Sequence, residues 1–70
     1  MIRQPVSSSN IASIGYDTDS QTLEIEFLNG SVYLYFDVPS SVHAGLMNAS
    51  SHGKYFHQHI RNRYRFDHIQ

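Results

Sequence analysis

Residues 52–70 concentrate positive charge: Lys54, Arg61, Arg63 and Arg65 stand against one acid, Asp67. Four of the five histidines, His52, His57, His59 and His68, share that stretch. Residues 1–51 have the opposite balance, with Arg3 facing Asp17, Asp19, Glu24, Glu26 and Asp37. The guanidinium group is a planar fork of donors that fits phosphate oxygens two at a time, so the arginines are candidate phosphate ligands. Arg61 and Arg65 are four apart, with Tyr64 between them in sequence. Tyr33 and Tyr35, two apart on a strand, are candidate stacking groups for unpaired bases, with Tyr64 a third. Each signal has an ordinary competitor. Basic residues line many solvated helices, and paired tyrosines are often core residues. A net charge of −1 argues against a strongly electrostatic nucleic-acid binder. A patch of this size makes about three or four phosphate contacts, which implies weak, salt-sensitive binding.

Other chemistries find no support. No nucleophile elbow of the G-x-S-x-G type is present, and the only closely spaced carboxylates, Glu24 and Glu26, lie on a strand with no implied cleft. The four glycines are scattered, so there is no phosphate-cradling loop. There is no cysteine, and His57 and His59 fall on opposite sides of a helix, so a metal site is not expected. No catalytic residue, cofactor or small-molecule substrate is implied.

The elements that must hold these residues centre on Thr22 to Pro39. Leu23, Ile25 and Phe27 alternate with Thr22, Glu24 and Glu26, the pattern of a strand with one apolar and one acidic face. Asn29-Gly30 is a strong hairpin signal, and Ser31 to Phe36 is a second strand. Two registers are open. A two-residue loop pairs Phe27 with Val32 and puts Tyr33 and Tyr35 outside, beside Glu26 and Glu24. A three-residue loop, with Gly30 in a left-handed conformation, pairs Phe27 with Ser31 and turns both tyrosines toward the core. Apolar alternation favours the first.

Ile11 to Asp17 reads as an earlier strand, with Ala12, Ile14 and Tyr16 on one face and Gly15 marking a bulge or a close approach by another element. After Pro39, the spacing of Val42, Leu46 and Ala49 predicts a helix over about 40–48. Ser51 caps a second helix carrying the stripe Phe56, Ile60 and Tyr64, and that pattern ends near Tyr64. Residues 1–10 read as a mobile lead-in, 7–66 as the single domain and 67–70 as a tail in which Ile69, like Phe66 just before it, packs back or frays. The expected fold is α+β, a three-stranded antiparallel meander followed by two helices on one face (β-β-β-α-α).

The chain also resembles a known family. The residues that carry the likeness are Ser8-Ser9-Asn10-Ile11, Gly15-Tyr16-Asp17, Leu23-x-Ile25-x-Phe27, Gly30, Tyr33-x-Tyr35 and Val38-Pro39. They continue through Ala49, Ser51-x-Gly53, Tyr55-Phe56, Ile60-Arg61 and Tyr64. In order and spacing they are similar to the KTSC domain, a short module named for the C-terminal end of certain lysyl-tRNA synthetases. His57 stands where the family more often has Asn, and Leu34 where the residue between the tyrosines is usually polar. The resemblance favours the second register. Through its synthetase context it implies an RNA-binding accessory role, with Lys54, Arg61, Arg63 and Arg65 on phosphate and Tyr33, Tyr35 and Tyr64 stacking. The rival expectation is a protein-interaction module or homodimer that uses the open sheet face. Absence of an apolar leader or a span of about 20 apolar residues points to the cytoplasm and away from membranes.

Overall fold

A computed structural model describes all of residues 1–70. The chain runs β1 (Arg3–Pro5), β2 (Ile11–Asp17), β3 (Thr22–Phe27), β4 (Val32–Tyr35), α1 (Ser40–Asn48), α2 (His52–His59) and β5 (Phe66–His68). The strands form one antiparallel sheet in the order β1-β2-β3-β4-β5.

The three-stranded expectation is therefore corrected to five. β1 comes from the segment read as a lead-in, and β5 includes the start of the tail. Both edge strands are three residues long, too short to show periodicity. They form because the outer edges of β2 and β4 would otherwise leave backbone donors and acceptors unpaired. β1 pairs Arg3 with Gly15 and Pro5 with Ser13, and its proline sits on an edge, where a missing donor is tolerated. β5 pairs Phe66 with Tyr35 and His68 with Tyr33. Beyond it, the amide of Val32 donates to the Gln70 carbonyl at 2.7 Å.

The β3–β4 register pairs Leu23 with Tyr35 and Ile25 with Tyr33. This is the three-residue-loop register, with Gly30 at φ +93°. Tyr33 and Tyr35 thus share a face with Leu23 and Ile25, while Glu24 and Glu26 point to the other side. In β2 the register shifts between Ile11 and Ser13, so Ala12 is the extra residue of a bulge. Ile11, rather than Ala12, joins Ile14 in the core. At Gly15 a Cβ would come within 3.0 Å of the Ile2 carbonyl, which is the close approach that position anticipated.

Both helices cover the tyrosine face. The core joins Ile11, Ile14, Leu23, Ile25, Tyr35 and Val38 to Leu46, Phe56 and Ile60. α1 begins directly after Pro39 as its spacing predicts, and Leu46 is its buried anchor. α2 is capped by the Ser51 hydroxyl, which accepts from the Lys54 amide at 3.2 Å. It ends at His59, earlier than the stripe to Tyr64 suggested. The amides of Ile60 and Arg61 both close onto the Phe56 carbonyl, and Asn62 adopts φ +65°. Asn is, after glycine, the residue best suited to that left-handed stop.

On the opposite face, Arg3 bridges to Glu24 at 2.9 Å and the Ser13 hydroxyl donates to Glu26 at 2.8 Å. Two of the acids on the sheet are thus occupied on the side away from the helices. Leu34 and Phe36 of the second hairpin strand are each half-buried.

Candidate functional site

α2 does not lie flush on the sheet at its C-terminal end. There a cleft of about 390 Å³ opens between the last turn of α2, β4 and β5. Its walls are Phe27, Tyr33, Tyr35, Phe56 and Phe66. The rings form a continuous set of edge and tilted contacts: Phe27 meets Phe56 at 5.5 Å between centroids, Tyr35 meets Phe56 at 5.6 Å, and Tyr33 meets Phe66 at 5.7 Å. His68 stacks on Tyr33 at 4.3 Å with the rings 2° from parallel. Offset and edge arrangements of this kind are the favoured geometries for aromatic pairs.

The polar lining is Asn10, Ser31, His57, Arg61 and Asn62. No carboxylate is among the lining residues. This follows from the hairpin register, since Glu24 and Glu26 lie on the far side of the sheet. The alternative register would have placed both beside the tyrosines, where carboxylates repel phosphate.

Arg61 is held by the turn that closes α2. Its Nη1 lies 3.2 Å from His57 Nδ1, and because arginine can only donate, the imidazole nitrogen accepts. Arg61 makes no ion pair, whereas Arg3 and Arg65 do, the latter with Asp37 at 3.4 Å. On its other side Arg61 borders an open polar hollow with Gln58, Asn62, Arg63 and Tyr64.

Tyr35 forms part of the cleft wall. It is 5% exposed, and its hydroxyl has no hydrogen-bond partner in the chain, yet it is not sealed from the cleft. Burial pushes its pKa up to about 12, nearby Tyr33 adds to the rise, and Arg61 opposes it. The phenol is therefore a neutral donor at physiological pH.

The structure brings some expected site residues together and separates others. Tyr33, Tyr35 and Arg61 meet in the cleft, and Arg61, Arg63 and Tyr64 share the adjoining hollow. Tyr64 is half-buried against the core. Lys54 lies exposed in the first turn of α2 and lines neither space. Arg65 lies beyond the early end of α2, paired with Asp37, its guanidinium carbon 5.3 Å from the centre of the Phe36 ring. The spacing of four between Arg61 and Arg65 therefore does not make them neighbours on a helix face, because the helix stops before both. Phe27, Phe56, Phe66, Asn10 and Asn62 were not singled out as site residues. Only Asn62, as a left-handed stop inside an otherwise periodic run, carried a local signal.

A model of the KTSC domain matches residues 7–64. The chain belongs to the KTSC domain family. It is similar to a KTSC domain protein from Yersinia pestis whose crystal structure superposes with a TM-score of 0.93 at 44% identity, covering 99% of this chain and 97% of that one. An uncharacterised protein of Stutzerimonas stutzeri is 43% identical over 58 residues, 83% of this chain and 82% of that protein. A lysine–tRNA ligase of Nostoc punctiforme is 44% identical over 61 residues, 87% of this chain but 11% of the enzyme. The KTSC domain therefore occurs at full length in small proteins and as a minor part of a synthetase. No helix here is long and apolar enough to cross a membrane.

Proposed function

We propose that this KTSC domain is an accessory module that binds single-stranded RNA, with Arg61 and Arg63 on phosphate and the aromatic cleft receiving an unpaired base. The observation that carries this reading is an unpaired guanidinium at the mouth of a carboxylate-free aromatic cleft. Aromatic faces accept any base, and arginine supplies phosphate contacts. The match to part of a lysine–tRNA ligase supports the reading, because such an enzyme handles RNA. Lys54 and Arg65 stand outside the cleft and contribute at most long-range attraction.

Anisotropy of a labelled, unstructured RNA oligonucleotide at low ionic strength tests the reading. Arg61→Glu with Arg63→Glu abolishes binding, and Arg65→Glu leaves it within a small factor. Two phosphate contacts give a log–log salt slope of about −1.4. Binding unchanged in the double variant would overturn the assignment. The rival is self-association along the β5 edge, where Phe66 is 55% and Ile69 52% exposed. It predicts a doubled mass in light scattering, insensitive to salt, with no RNA affinity.

A further inference from the structure

The same cleft carries a narrower statement about its occupant, resting on the RNA reading. We infer that it is a one-nucleotide site that takes a free nucleoside monophosphate on its own, base against the aromatic wall and phosphate on Arg61.

Size comes first. About 390 Å³ lies near the small end of the range for ligand pockets, roughly 300–1,000 Å³. That suits one nucleotide and leaves no room for a run of bases. The lining divides by chemistry. Phe27, Tyr33, Phe56 and Phe66 offer ring surface, and Phe66, 55% exposed, has a free flank at the entrance. Among the polar groups are donors for an anion: the Arg61 guanidinium, the Tyr35 hydroxyl and the side-chain amino groups of Asn10 and Asn62, beside Ser31 and His57. The carbonyl oxygen of Asn10 is already engaged by the Ser8 hydroxyl at 3.2 Å, which leaves its amino group to donate. A planar ring bearing an anion satisfies both halves, and neither an uncharged ring nor a bare anion does. The Tyr35 hydroxyl opens into the cleft and is unbonded within its own chain, so it is available to donate to a group that displaces water there.

The arrangement also assigns His57 a part. Its Nδ1 holds Arg61 at 3.2 Å, so the guanidinium is oriented before a phosphate arrives. His57 is a positioning residue here, on the last turn of α2, and Arg61 follows it in the turn that closes the helix.

The test uses the whole chain and titrates UMP, AMP, uridine and inorganic phosphate while ring signals are followed by NMR. UMP or AMP shifts the signals of Tyr33, Tyr35 and Phe66, and uridine and phosphate alone each bind at least about tenfold more weakly, since each lacks one half of the recognition. Arg61→Ala weakens nucleotide binding by about tenfold or more, as expected for loss of a charge-assisted contact. Tyr35→Phe, which keeps the ring, weakens it several-fold, and Arg65→Ala leaves it unchanged. Nucleotides that leave the three ring signals unmoved, or that bind wild type and Arg61→Ala equally, would overturn the inference. Competition separates it from the broader reading. RNA that binds but is not displaced by UMP or AMP defeats the one-nucleotide site and spares the RNA function. Nucleotide that binds a protein indifferent to RNA defeats the RNA function and spares the site.

Discussion

Phe27 and Ser31 face each other across the tip of the central hairpin, the amide of Phe27 donating to the Ser31 carbonyl at 2.8 Å. That one bond states the register. It sends Tyr33 and Tyr35 to the helix side and leaves Glu24 and Glu26 on the other, so the chemistry of the cleft depends on a turn some distance from it. The turn depends in its place on Gly30 at φ +93°, a conformation in which an L side chain is strained even though no atom lies within 4 Å of its would-be Cβ. Gly30→Ala should therefore lower stability by about 1 kcal/mol, entirely through the backbone. For a domain of this size that is a fall in Tm of about 4–8 °C. Gly30→Asn should lose less, because Asn tolerates positive φ. A Gly30→Ala protein that melts with the wild type would show that the loop adopts the other register as readily.

The alternation in β3 and the caps and stripes of the helices were legible because each rests on local chemistry. The residue pattern alone left the register open, because Val32-Tyr33-Leu34-Tyr35 presents an acceptable apolar face either way up, and only the family resemblance pointed to the one observed. What decided it was burial against α2, a contact between residues far apart in sequence. β1 and β5 were missed for a related reason, since a strand of three residues is specified by the edge it pairs with. The cleft residues Phe27, Phe56 and Phe66 come from three different elements. The stripe of Phe56, Ile60 and Tyr64 runs past the true end of α2 because a period of four does not register Asn62, whose conformational preference is the contrary sign.

Gly45 lies where α1 meets α2. A Cβ there would run into the Tyr55 hydroxyl and stand 2.6 Å from its ring carbon Cζ. Two effects compete in Gly45→Ala. Helix propensity favours alanine by about 1 kcal/mol, while overpacking costs about 1–3 kcal/mol. The ring has little freedom because it also packs against His59 at 4.4 Å between centroids, so the clash should win and the variant should be less stable in urea. Adding Tyr55→Leu should recover part of the loss, a coupling that a double-mutant cycle reads directly. Additive effects would mean the helices separate freely at this point.

Tyr35 makes stability fall at high pH. Its ordinary pKa is 10.0, and burial raises the folded value to about 12. Below pH 10 both states hold the proton and the group contributes no pH dependence. Between 10 and 12 the unfolded chain ionises while the folded one does not, so folding becomes less favourable, by at most about 2 kcal/mol at the top of the window. Tyr35→Phe removes this loss, and because the hydroxyl is unbonded within the chain, the variant should match wild type near neutrality. Urea midpoints that fall in parallel for both proteins from pH 10 to 12 would place the alkaline sensitivity elsewhere.

His43 does the corresponding work at low pH. Its ring stacks on Tyr16 with centroids 4.5 Å apart and 7° from parallel, and the Tyr16 hydroxyl donates to the Val38 carbonyl behind it. Burial lowers the pKa of His43 below its ordinary 6.5. The unfolded chain thus takes up a proton before the folded one does. The stabilisation is complete above about pH 6.5 and is lost as pH falls through the folded value, the direction expected of a histidine buried neutral. His43→Phe keeps an aromatic ring for the stack and cannot be protonated, so its stability should decline less steeply in acid than that of the wild type. The two curves should converge or cross as pH falls below 6.5. Equal slopes would mean that the imidazole reaches water despite the stack.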